Sequence, residues 1–310
     1  MVVWVTGCAS TARSIGGLES APFSTTEALQ VFDRVDYLVQ TRHFSRQFNG
    51  ANWPALQSQY RPLIAAAADD EEVYRLLNEM LRSLHDSHTY AHCPVHHPVV
   101  SFPEERAVAT SAPIGHGANV LANGVLYLRF DHFDADSVRW LERQISAHRE
   151  APGLVIDLRR NIGGLVTSGQ QMVGSFFDHR VPMGLVIPRS GRAYVEQSKV
   201  RRIRYLGPLC LLIGPHSYSS AEVFADVLQS QRRATTVGEQ TAGQVRGSRH
   251  FGLPDGGNLQ LSVSDYRRLD GRPLEGCGVA PDVVVLPAPE DFDLARDPTV
   301  RVALDVLAAR

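Results

Sequence analysis

Between about residues 125 and 238, short apolar runs alternate with stretches of helical periodicity, and that alternation restricts the chain to a layered α/β architecture with a largely buried sheet. Val125 to Phe130 reads as a strand, residues 136–149 as a helix and Leu154 to Leu158 as a buried strand. A helix over 164–178, strands over 183–188 and 209–213, a helix over 218–231 and a strand over 234–238 continue the series.

The segment before the alternation has a different period. Ser24-Thr25-Thr26-Glu27 forms a capping box ahead of Leu29, Val31, Phe32, Val35, Leu38 and Val39. A second helix is expected after Pro54. A third begins at Asp69-Asp70-Glu71-Glu72, whose acids suit the positive end of a helix dipole. Its apolar positions Val73, Leu76, Leu77, Met80, Leu81 and Leu84 hold helical spacing as far as His85. Residues 24–90 therefore read as a small helical domain, residues 91–310 as an α/β core, and residues 1–23 as a signal remnant or tether. Within the core, Pro254-Asp255-Gly256-Gly257 marks a hairpin across 249–268, and an amphipathic helix is expected near 298–308.

Charge and cysteine usage remove several function classes. Lysine and arginine total 31 against 33 acids, so no basic surplus points to nucleic acid. Only one lysine, Lys199, occurs in 310 residues, which removes Schiff-base and Ser-Lys chemistry beyond what that side chain reaches. Cysteines stand at 8, 93, 210 and 277 with no CxxC spacing, so neither a redox pair nor a zinc ribbon is indicated; a pairing of Cys93 with Cys277 stays open. Val5-Thr6-Gly7-Cys8 resembles the lipobox of bacterial lipoproteins, although the apolar stretch before Cys8 is short and lacks a basic start. Membrane contact is expected only through a lipid on Cys8. With that lipid the chain belongs in a bacterial envelope or periplasm, and without it in the cytoplasm.

Three motifs in order carry a resemblance. Leu154-Val155-Ile156-Asp157-Leu158-Arg159-Arg160-Asn161-Ile162-Gly163-Gly164 comes first, then Ser217-Tyr218-Ser219-Ser220-Ala221-Glu222. Leu274-Glu275-Gly276-Cys277-Gly278-Val279-Ala280-Pro281-Asp282 closes the series. Together they resemble the tail-specific, or C-terminal processing, serine peptidases across most of residues 80–287. The resemblance implies a ClpP/crotonase-like core and hydrolysis of peptides or unfolded protein ends without cofactor or metal. Many such peptidases place a lysine just after a Thr-x-Gly turn; here Thr241-Ala242-Gly243 is followed by Gln244, whose amide does not accept a proton near neutral pH. Too few residues separate His88 from the strand at 125 for the PDZ domain of many relatives. In that respect the chain is similar to the tricorn core protease and to the repeat module of interphotoreceptor retinoid-binding protein.

The resemblance makes Ser219 the nucleophile, at a helix start where its hydroxyl meets unpaired backbone N–H groups, with Ser217 as the cap. Serine is also an ordinary N-cap, so the motif alone does not decide. His88 is the expected general base, since a neutral imidazole takes a hydroxyl proton and returns it to the leaving amine. His216 is the rival base. Ser87 and Glu275 are expected to orient and polarise the imidazole, with Asp86 as a rival orienter. The oxyanion donors are expected at Ser220 N–H and at Gly163 or Gly164 N–H, in a loop shaped by Arg159 and Asn161.

Two other readings compete. The fold is also compatible with a non-catalytic module that holds a hydrophobic ligand. Alternatively, His85, His88, His92, Cys93, His96 and His97 form a cluster able to ligate a metal, although no His-x-x-x-His pair with an internal glutamate is present. A peptide substrate is expected to lie extended along a strand near 183–205.

Overall fold

The computed structural model describes residues 24–94, 115–121, 123–286 and 294–309. Cys8, His96 and His97 lie outside the described residues, and with them the lipid-anchor expectation and two of the six residues of the proposed metal cluster.

The chain opens with three helices, α1 (Thr25–Arg42), α2 (Trp53–Ala65) and α3 (Asp70–Arg82). Each has a side-chain cap: Ser24 accepts from Glu27 N–H, Asn52 from Ala55 N–H and Asp69 from Glu72 N–H. The apolar faces of α1 and α3 are buried almost as their spacing predicts, with Ala28 rather than Leu29 completing the α1 face. After α3 come β1 (Tyr90–His92), β2 (His116–Val120), β3 (Leu126–Phe130), α4 (Ala135–Ala147) and β4 (Leu154–Asp157). Then follow α5 (Val166–Gly174), β5 (Pro182–Pro188), β6 (Tyr194–Gln197), β7 (Leu209–Ile213), α6 (Ser220–Ser230) and β8 (Thr235–Gly238). The chain ends with β9 (Gly247–Gly252), β10 (Asn258–Arg267), β11 (Val283–Val284) and α7 (Pro298–Ala308).

The strands form two sheets rather than one. The larger has six strands in the order β11-β8-β7-β4-β3-β2, parallel from β11 to β3 and closed by the antiparallel pair β2–β3. Its central strands β4 and β7 are buried at every position and, apart from Asp157, apolar, because both faces are covered. On one face, Leu154, Ile156, Leu209, Leu211 and Ile213 pack with Phe130, Phe133, Phe176 and Phe224. On the other, Val155, Cys210, Leu212 and Val237 meet Val300, Ala303 and Leu307 of α7. Cys210 is thus a buried small hydrophobe, and Cys93 and Cys277 are both free thiols.

The second sheet has the order β1-β10-β5-β6, with β9 also paired to β10. It contains the expected hairpin, Asn258 to Ser264 of β10 pairing antiparallel with β9. The helical segment shares a core with it: Val31, Phe32, Leu38, Val73, Leu77 and Leu81 are buried with Leu253, Leu259 and Leu261. Asn78 of α3 donates to Ala91 C=O at 2.8 Å and accepts from Ala91 N–H at 2.7 Å, so α3 binds β1 as a neighbouring strand would. β1 in turn pairs with β10, Tyr90 opposite Gln260. Both ends of the connection that carries His88 are therefore fixed. No helix among the described residues is long and apolar enough to cross a membrane.

Candidate active site

Three loops leave the carboxyl ends of parallel strands β4, β7 and β8, and they are bonded to one another backbone to backbone. Asn161, in the loop after β4, accepts Tyr218 N–H at 2.9 Å; Gln244, in the loop after β8, accepts Ser219 N–H at 2.9 Å. Asn161 is fully buried and does more: its Nδ2 donates to Phe130 C=O and its Oδ1 accepts Gly163 N–H at 2.9 Å. Arg159, beside it, is held between the buried carboxylates of Asp157 and Asp297. The motif after β4 is therefore a rigid turn, as expected of those two residues.

Ser219 occupies that junction with φ 55° and ψ −116°, a left-handed conformation that an L-residue adopts only when its surroundings impose it. It immediately precedes α6 and is half-buried. Ser217 is not the cap of this helix. Its Oγ donates to Leu158 C=O at 2.8 Å and accepts Gly214 N–H at 3.1 Å, bracing the ends of β4 and β7 instead. The helix begins two residues later because the backbone must first turn through Ser219.

What holds the strained turn is Glu222, the last residue of the serine motif. Its buried carboxylate accepts four bonds: Thr241 Oγ1 at 2.6 Å, Gly243 N–H at 2.6 Å, Gln244 N–H at 2.8 Å and Ser219 N–H at 3.1 Å. Burial pushes its carboxyl above the usual range, against the pull of those donors. A glutamate at the third position of a helix that starts in the middle of a cluster of turns was the available signal. Replacing Glu222 with Gln turns an N–H₂ toward backbone N–H groups. The expected loss is about 2–4 kcal/mol of unfolding free energy, read by urea denaturation.

Gly163 and Gly164 lie against the serine turn. Gly163 has φ 85°, and a Cβ there would meet Ser219 Cβ and Tyr218 C=O, each at 2.7 Å. The two glycines differ as donors. Gly163 N–H is already taken by Asn161, whereas Gly164 N–H and Ser220 N–H carry no bond among the described residues. Phe133 bonds Gly163 C=O and Leu165 N–H, so the polar edge of Gly164 faces the other way; its carbonyl accepts Ser220 Oγ at 2.9 Å. Gly164 is exposed and Gly163 buried.

His88 sits in the connection from α3 to β1, just after the left-handed turn at His85. Its Nδ1 and Ser87 Oγ are 2.7 Å apart, leaving Nε2 without a hydrogen bond among the described residues. Ser87 N–H donates to Glu275 Oε1 at 3.3 Å, and Glu275 Oε2 accepts Val245 N–H at 2.7 Å. Val245 adjoins Gln244, which holds Ser219. The sequence-distant residues His88, Ser87, Glu275 and Ser219 are thereby joined through a single connected set of bonds, although no direct bond links His88 to Ser219. Burial pushes the His88 imidazole below its usual range, Glu275 and Asp86 pull it back up, and Arg246 pushes it down again.

Asp86, the rival orienter, touches the His88 backbone rather than its ring. It accepts His88 N–H at 3.1 Å, Ser262 Oγ at 2.7 Å, Thr89 Oγ1 at 3.0 Å and His43 Nε2 at 2.9 Å. Burial alone raises its carboxyl, but the bonds from His43, Ser262 and Thr89 prevail and hold it below the ordinary range. His43 caps α1, so this fully buried pair ties the helical segment to the connection carrying His88. His216, the rival base, is exposed with Nδ1 3.4 Å from Tyr218 Oη. Lys199 is exposed beyond β6, its backbone bonded to Gln170 of α5. Among the described residues no group of three or more His, Cys, Asp or Glu has the arrangement to hold a metal ion.

A parallel-stranded core whose loops present a strained serine and two N–H groups unpaired among the described residues, tied through Glu275 to an imidazole on the connection from α3 to β1, is the framework of a serine hydrolase. Comparison with known proteins narrows that class. The family model for peptidase family S41 matches residues 124–285, more than half of the chain, and that for the tricorn protease C1 domain matches residues 24–82. The chain belongs to peptidase family S41.

Among curated relatives, the chloroplastic carboxyl-terminal-processing peptidase 1 of Arabidopsis thaliana is 28% identical over 201 residues, 62% of this chain and 40% of the relative. The carboxy-terminal-processing protease of Bartonella bacilliformis is 33% identical over 148 residues, 45% of this chain and 32% of the relative. The matched stretch thus spans less than half the length of these relatives. Solved structures share the fold: a putative peptidase from Parabacteroides merdae has a TM-score of 0.67 at 20% identity, covering 91% of this chain and 96% of that one. The tricorn protease has a TM-score of 0.66 at 17% identity, covering 92% of this chain and 37% of its own.

Proposed function

We propose that this chain is a serine endopeptidase acting on peptides or unfolded protein ends through Ser219 and His88, with no catalytic lysine. The observation that carries the reading is the connected set Ser219–Gln244–Val245–Glu275–Ser87–His88, which ends on a strained serine turn on one side and an imidazole on the other. Ser87 holds Nδ1 and leaves Nε2 to take the Ser219 proton as Oγ attacks the scissile carbonyl. The charge that develops on the carbonyl oxygen is received by Gly164 N–H and Ser220 N–H. His88 then passes its proton to the leaving amine, the acyl-enzyme forms, and water deprotonated by His88 releases the second product. Glu275 orients Ser87 through its backbone N–H. No step requires a metal or a cofactor.

The substrate is a peptide chain in extended form. β6 is an edge strand with Tyr194 and Val195 exposed, and its open edge offers main-chain bonds to such a chain. Regarding place, a lipid on Cys8 would put the enzyme at a bacterial envelope.

A fluorophosphonate probe tests the reading. Stoichiometric labelling at Ser219, lost in Ser219→Ala, is expected, and mass spectrometry of the modified peptide checks it. Protein that stays unlabelled and carries bound lipid would instead support the ligand-binding module. The labelling rate also carries a pH signature. The base must be uncharged, so the rate falls as pH drops through the His88 ionisation. Because burial lowers that ionisation, the midpoint is expected below about 6.5, the ordinary value for histidine.

A further inference from the structure

The loop that carries Gln244 where many relatives place a lysine is not without a cation. Arg246 follows two residues later, with its side chain 15% exposed. Its Nη1 pairs with Asp265 of β10, and its Nε lies 3.7 Å from Glu275 Oε1 without a hydrogen-bond partner. The guanidinium carbon stands 4.4 Å from the centroid of the Phe44 ring. Phe44 follows the His43 cap of α1, and its own N–H donates to Ser262 C=O of β10 at 3.0 Å. The helical segment therefore reaches the site at two points, through the His43–Asp86 pair and through this stack.

The charges facing His88 explain why such a cation matters. Asp86 lies on its own connection, backed by His43 from α1; Glu275 approaches from the loop before β11; Arg246 from the loop before β9, with Asp265 behind it. Both carboxylates nearest the imidazole favour its protonated form, which is inert as a base. The only opposing charge among these is Arg246, and a guanidinium keeps its charge at every accessible pH. Its planar group suits the position because it pairs edge-on with carboxylates while its face lies on an aromatic ring.

Resting on the assignment of His88 as the base, we propose that Arg246 is a positioning residue of this centre. It holds Glu275 against Ser87 and, alongside burial of the ring, opposes protonation of the His88 imidazole, with Phe44 of the helical segment fixing its plane. Charge that a lysine would bring into the serine's surroundings is here displaced onto a residue that takes no part in proton transfer.

The test is a proton NMR titration of the His88 imidazole in the full chain, its resonance assigned by its loss in His88→Gln. In Arg246→Met the midpoint is expected to rise by roughly half a pH unit or more, since a nearby cation is removed while Glu275 and Asp86 remain. Arg246→Lys, which keeps the charge, is expected to stay near the unsubstituted protein. Arg246→Gln serves as the neutral variant if the methionine protein does not fold. The acid limb of fluorophosphonate labelling should move upward with the midpoint. A midpoint unchanged or lowered in a folded neutral variant overturns the proposal. The titration is read on unmodified protein, so it tests Arg246 even where Ser219 fails to label, an outcome that counts against the peptidase reading instead.

Discussion

His88→Ala is expected to reduce hydrolysis of an unfolded peptide substrate by about 10⁴-fold or more in kcat/KM, the usual scale for removing the base from a serine–histidine pair. The loss should fall on kcat, because the imidazole acts on the Ser219 proton in the transition state and the substrate's own contacts lie elsewhere. The variant is expected to fold normally, since among the described residues the His88 ring bonds only Ser87 and the connection is held by Asp86, Thr89 and Ser262. A quenched-fluorescence peptide assay reads the rate, and circular dichroism reads the fold. Lys199→Met provides the contrast: an exposed side chain beyond β6 should leave the rate unchanged. If Lys199→Met were the inactive variant and His88→Ala the active one, the base has been misassigned.

The second large effect is expected at Gly163, which takes no part in proton transfer. Gly163→Ala puts a methyl group 2.7 Å from Ser219 Cβ and 2.7 Å from Tyr218 C=O, in a residue whose φ of 85° already disfavours a side chain. Neither contact is the tip of a flexible side chain, so the serine turn itself must move. A displacement of about 1 Å at a reacting atom costs on the order of 100-fold in rate, and the strained backbone adds a stability loss of about 1–3 kcal/mol. The two readouts separate: labelling of Ser219 should fall far more than the melting temperature. Gly163→Ala with full labelling would mean that the Gly163–Ser219 contact does not aim the nucleophile.

Much of this architecture was legible beforehand, for identifiable reasons. The capped starts of α1 and α3 rest on local side-chain bonds, and the central strands β4 and β7 are apolar at successive positions, so both survive in any tertiary setting. The hairpin turn at Pro254–Gly257 is equally local. The split into two sheets was not legible, because β1, β6 and β11 are two to four residues long and carry no pattern of their own. Their pairing partners decide that they are strands. Ser217 illustrates the same limit: a serine three residues before a helix resembles a cap until the strand ends it braces are known.

The candidate site divides along the same line. Residue types and motif order, with glutamine at the position of a family lysine, were enough to nominate Ser219, His88, Ser87 and Glu275 individually. Their connection depended on the bonds Ser219–Gln244, Val245–Glu275 and Ser87–Glu275, the last between residues 188 positions apart. The carboxylate of Glu222 joining the serine turn to the loop after β8, and Arg246 caught between Glu275, Asp265 and Phe44, were visible only once the chain was closed.

Sequence by itself determined the alternating layers, the helical preface and the presence of a single lysine, Lys199, since each follows from local periodicity or from composition. Tertiary structure alone decided which N–H groups remain unpaired among the described residues, which donors Glu275 and Asp86 accept and which groups surround Arg246. Those are properties of distance and burial, and electrostatic energy depends on both far more steeply than on the identity of the groups.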